Sequence, residues 1–71
     1  MNTVRFQEFE RYDVQRDVMV VCFMGVTGRG TFHAQLACDR PSERREKRKA
    51  FESKVVELME SGEPPQEVDI G

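Results

Sequence analysis

Val18-Met19-Val20-Val21-Cys22-Phe23-Met24 is a continuous apolar run, rich in β-branched residues and too short for an independent helix. It reads as a central strand with apolar side chains on both faces. On its C-terminal side, Gly25-Val26-Thr27-Gly28-Arg29-Gly30 is a glycine-punctuated turn. Thr31 to Cys38 then alternates, with Phe32, Ala34, Leu36 and Cys38 on one side and Thr31, His33 and Gln35 on the other. The two segments predict an antiparallel hairpin. On the N-terminal side, Asp13-Val14-Gln15-Arg16-Asp17 is a polar connection. Before it, Thr3 to Tyr12 alternates at Val4 and Phe6 and breaks parity at Phe9. That segment is either a strand with a bulge, the reading favoured, or one whose later part is a helical turn with Phe9 and Tyr12 three apart.

The stretch from Arg40 to Ser61 predicts one amphipathic helix. At about 100° per residue, Phe51, Val55, Leu58 and Met59 fall in one narrow stripe that begins only at Phe51. Projected backward, the stripe runs into Arg48 and Arg44, while Arg45, Lys47 and Lys49 take the remaining faces. A helix polar on every face has nothing to press onto a core, so residues 42 to 49 are expected to overhang as a solvated projection. Their charge has the wrong sign for a helix start, each cation there costing roughly 0.3 to 1 kcal/mol at low salt. The pairs Glu43 with Lys47 and Arg48 with Glu52 offset a part of this. Pro41 suits the first turn, with Asp39 or Ser42 as the capping side chain, and Ser61-Gly62 before Pro64-Pro65 marks the stop.

Together these elements predict an α+β fold, a three-stranded antiparallel meander with one C-terminal helix on one sheet face (β-β-β-α). Residues 1–61 form the expected domain. Residues 62–71 form an acidic, proline-containing tail, expected to be mobile because only Val68 and Ile70 offer anchors. One helix covers one face of a sheet. A second apolar row, either Val18, Val20 and Cys22 or Met19, Val21 and Phe23, is left over, and such a row predicts a homodimer. With 71 residues, the chain lies near the lower limit at which a single core sustains itself.

Composition narrows the function classes. No apolar run approaches a membrane span, and Met1-Asn2-Thr3-Val4-Arg5 is not the start of a secretory leader, so a cytoplasmic address is expected. The net charge is −2, and the last nine residues carry Glu63, Glu67 and Asp69 with no base; removing those three charges leaves the remainder at +1. Two cysteines are too few for a disulfide framework.

Candidate chemistry is sparse. The glycine-spaced loop joins two strands, and a phosphate loop joins a strand to a helix, so a hairpin turn is the expected role. Cys22, His33 and Cys38 are the thiol and imidazole groups available for a metal or for nucleophilic catalysis. Alternation separates His33 from Cys38, zinc-type ligand spacing is missing, and a Cys22–His33 pair would lack an orienting third group. No cofactor, metal or catalytic site is therefore assigned. The basic cluster Arg40, Arg44, Arg45, Lys47, Arg48 and Lys49, with Lys54, fits an acidic protein surface, or in second place the phosphates of a nucleic acid; Glu43, Glu46 and Glu52 interrupt it. In arrangement alone, three strands and a helix that begins basic resemble the second half of a double-stranded-RNA-binding domain. Arg44-Arg45-Glu46-Lys47-Arg48 departs from that family's lysine cluster, and Cys38 to Pro41 is an extra stretch, so no site is carried over. The expectation is a small non-enzymatic interaction module, homodimeric, offering its basic helix start to an acidic partner.

Overall fold

The computed structural model describes residues 3 to 71. They form β1 (Arg5–Asp13), β2 (Val18–Thr27), β3 (Gly30–Ala37) and α1 (Pro41–Glu60). The strands make one antiparallel sheet in the order β1-β2-β3, followed by the single helix: the α+β, β-β-β-α arrangement that the apolar periodicities predict.

β1 is uninterrupted. Each residue from Arg5 to Asp13 opposes one residue of β2, from Val26 back to Val18, so there is neither a bulge nor a helical turn at Phe9. The parity break is a change of face instead. Phe6 opposes Gly25 and joins the core under the helix, whereas Phe9 opposes Cys22 and points to the other side. The connection to β2 is held by Asp13, whose carboxylate accepts the backbone N–H groups of Gln15 and Arg16 and the Arg16 Nε at 2.7 Å. Asp17 takes the left-handed conformation there, φ 55°, which aspartate tolerates better than most residues.

The β2–β3 hairpin closes on the Thr27–Gly30 pair, leaving Gly28 and Arg29 as its tip. Thr27 Oγ1 donates to the Gly30 carbonyl at 2.8 Å and accepts the Arg29 N–H at 3.1 Å. The conformation that needs glycine falls on Gly30, at φ 141°, where a Cβ would also press on Pro65 at 3.2 Å. This register sets Cys22 opposite Gln35 and His33 opposite Met24, so the direct Cys22–His33 pairing allowed by the sequence does not form.

α1 lies on the face built by Val21 and Phe23 of β2 and Phe32 and Ala34 of β3, with Phe51 and Val55 as its buried contacts. Phe51 stacks on Phe23 with ring centroids 5.7 Å apart and meets Phe6 edge-on at 6.1 Å. The helix begins at Pro41 with Arg40 as N-cap. Neither Asp39 nor Ser42 caps it, because no side chain hydrogen-bonds the free N–H groups. Its end is complete: Gly62 is left-handed (φ 76°), its N–H bonds Met59 O at 3.1 Å, and the Glu63 N–H bonds Leu58 O at 2.9 Å, the Schellman arrangement.

The tail differs from the expectation of mobility. Residues 66–68 lie parallel to β3, with the His33 N–H on Gln66 O at 3.2 Å and the Val68 N–H on His33 O at 2.8 Å. Val68 is 4% exposed and belongs to the core, Ile70 packs against it, and Lys47 Nζ donates to Ile70 O at 3.2 Å. Burying Val68, partly burying Ile70 and satisfying both backbone polar groups of His33 offset the entropy of ordering this segment. No helix among the described residues is long and apolar enough to cross a membrane.

Candidate interaction surface

The basic cluster divides once the helix is in place. Arg44 and Arg48 face the sheet and rest on β1, so the front half of α1 does not overhang. Arg44 Nε reaches Glu8 Oε2 at 2.7 Å, Arg44 Nη1 reaches Glu10 Oε2 at 3.2 Å, and Arg48 Nη1 reaches Glu8 Oε1 at 3.0 Å. Partial burial raises the Glu8 pKa, but the hydrogen bonds and charges of Arg44 and Arg48 outweigh it and hold the carboxyl below its ordinary 4.5. A polar stripe continuous with the apolar one is thereby seated on the same sheet face, which accounts for cations at a helix N-terminus. Lys47 is turned toward the Ile70 carbonyl, and Lys54 lies 3.6 Å from Glu57. Arg40, Arg45 and Lys49 remain exposed and form no ion pair among the described residues.

Glu8 and Glu10 were not among the candidate residues. Their signal was parity: both share the Phe6 face of β1, and carboxylates on a core-facing parity call for cationic partners from the element packed above.

The row foreseen as a dimer face also divides. Val21 and Phe23 lie fully buried beneath α1, and Met19, on the same side, extends past the apolar core. Val18, Val20 and Cys22 belong to the face that the helix leaves uncovered. Yet Val20 is only 2% and Cys22 only 6% exposed. Their cover comes from the flanking strands: Arg11 opposes Val20 on β1, Gln35 opposes Cys22 on β3, and Arg11 Nη2 donates to Gln35 Oε1 at 2.8 Å. With both side chains on the uncovered face, this bond passes over the central strand as a strut. The large apolar group that this face offers to solvent is Phe9, 49% exposed, with Arg5, Gln7, Arg11, His33 and Gln35 exposed around it.

The thiols do not converge. Cys22 lies on the uncovered face and Cys38 in the core on the helix side, both free and buried. Burial first, then the charge of Glu43, pushes the Cys38 pKa up, away from a thiolate. His33 Nε2 stands 3.9 Å from the Glu67 carboxylate. Among the described residues no three His, Cys, Asp or Glu side chains gather as a metal site. A groove of about 190 Å³ lies by the hairpin tip between Thr27, Arg29, Phe32, Met59 and Pro65, away from both cysteines. Comparison with protein-family models, with curated proteins and with solved structures finds no match for this chain.

Proposed function

We propose that the chain is a small non-enzymatic interaction module that meets an acidic protein surface with the uncovered face of its sheet. The observation that carries this reading is the placement of half-exposed Phe9 between Arg5 and Arg11 on one edge strand, on the face opposite the helix. An aromatic anchor ringed by arginines and amides is the composition that concentrates binding energy at protein interfaces. Arg40, Arg45 and Lys49 are exposed on the helix side of the molecule, away from Phe9, and take no part in this face. The two reduced, buried thiols suit the cytoplasmic address that accompanies the proposal.

Self-pairing through the same face is a second form of this reading, favoured by the size of the chain and by Phe9. A nucleic-acid reading moves from the helix to the sheet, because Arg44 and Arg48 are engaged by Glu8 and Glu10 whereas Phe9 and Arg11 would offer a base a ring and a cation. A photo-crosslinking amino acid at position 9, irradiated in the protein's native cells, separates the three. An adduct with a different protein, lost on Arg5→Glu with Arg11→Glu, supports the proposal. An adduct at twice the 8.3 kDa chain mass assigns the face to a second copy, and an adduct sensitive to nuclease assigns it to nucleic acid.

A further inference from the structure

The two edges of the sheet are treated differently by the sequence. The outer edge β1 carries Arg5, Glu8, Glu10, Arg11 and Asp13, charges of the kind that blunt an edge strand against further pairing. β3 reads Gly30-Thr31-Phe32-His33-Ala34-Gln35-Leu36-Ala37 and carries no carboxylate, lysine or arginine. An unprotected edge of this sort takes up another strand, and here residues 66–68 occupy it.

The manner of that occupation is that of a peptide on a receptor. The His33 N–H and C=O each bond the segment's backbone, one alternate side chain, Val68, enters the core, and Ile70 packs beside it. The acids Glu67 and Asp69 alternate with these two, Glu67 next to His33, and Lys47 caps the far end through the Ile70 carbonyl. The anchorage is shallow: two main-chain hydrogen bonds, one buried side chain with Ile70 only partly buried beside it, the Lys47 bond to the Ile70 carbonyl, and a His33–Glu67 contact at 3.9 Å whose carboxylate is 83% exposed. The connection back to α1, residues 61–64, is exposed throughout and contains the helix-ending glycine.

We propose that the β3 edge is a strand-addition site for an extended acidic segment of a partner protein, with the alternation acid, aliphatic, acid, aliphatic, and that residues 66–70 are its built-in competitor. The partner's strand runs parallel to β3, places an aliphatic side chain where Val68 sits, sets an acid beside His33, and offers a main-chain carbonyl to Lys47. The tail, tethered at an effective concentration on the order of millimolar, lowers the apparent affinity by the fraction of time the edge is closed. This site shares only His33 with the uncovered face, and the proposal stands or falls independently of the role given to Phe9.

The test uses the full chain and, as probe, a fluorescently labelled peptide with the sequence of residues 64–71. Val68→Asp ejects the tail without touching the receptor edge, so the peptide should bind this variant at least about tenfold more tightly than the unaltered chain. The same peptide carrying Asp in place of its valine should bind neither. Val68→Ser serves if the aspartate variant proves unfolded by circular dichroism. Equal binding of the peptide to a folded variant and to the unaltered chain overturns the proposal. Unfolding of both variants overturns it as well, because the tail would then be a fixed part of the core and not an exchangeable ligand.

Discussion

Glu8 shows how much one side chain decides in a chain of this size. Two guanidiniums converge on its carboxylate, and without it Arg44 and Arg48 would face the sheet with only Glu10 as counter-charge. Because its folded pKa lies below the unfolded value, Glu8 contributes stability that is present above about pH 4.5 and is lost as pH falls through the folded pKa. Asp13, lowered chiefly by its hydrogen bond from Arg16, adds in the same direction. Glu8→Gln is expected to lower the melting temperature by a few degrees at neutral pH and to flatten the acid limb of the stability curve, leaving the Asp13 part intact. Thermal melts at a series of pH values from 7 downward check this; an acid limb as steep as in the parent chain would mean that the pairs are worth nothing net. Helical periodicity placed Arg44 and Arg48 on the right stripe of α1. It could not say what lay beneath them, and a stripe of cations with no partner reads as a projection. The partner was legible only by carrying the Phe6 parity forward to Glu8 and Glu10.

At the scale of elements, boundaries came from residues with a backbone reason to be where they are. The helix stop is the clearest, since Gly62 adopts φ 76° and both Schellman bonds form around it. Nothing lies within 4 Å of a Cβ built at Gly62, so the cost of a side chain there is conformational alone. Gly62→Ala is expected to destabilise by about 1 kcal/mol, seen as a lower urea midpoint with an unchanged slope. The helix start was less legible: Asp39 and Ser42 are both good capping residues by composition, and neither side chain caps. Strand β1 was ambiguous for a different reason. Phe9 looked like a fault in the alternation when it was an apolar residue on the uncovered face, and only the pairing with β2 distinguishes the two.

For the molecule as a whole, the order of elements was open to reading because a two-faced apolar run, an alternating strand and a helical stripe each have their own period. The docking of the tail was not, since Val68 and Ile70 look the same in sequence whether they find a groove or not. That groove exists only once β3 and α1 are together. Stability should therefore be uneven across the fold. In native-state hydrogen exchange, the amides of His33 and Val68, whose acceptors lie across the tail contact, are expected to open at lower cost than those of β2 at Val21 to Phe23. Equal protection at both sets would make the tail and the sheet one cooperative unit.

The two thiols lie on opposite sides of the same thin sheet, Cys22 under the Arg11–Gln35 strut and Cys38 beneath the start of the helix. An alkylating reagent therefore finds each one through a different breach. Labelling at Cys22 clocks the loosening of the strut, labelling at Cys38 clocks the lifting of α1, and mass spectrometry of the half-labelled protein tells which side gives way first. Arg11→Ala should hasten the first clock and leave the second unchanged.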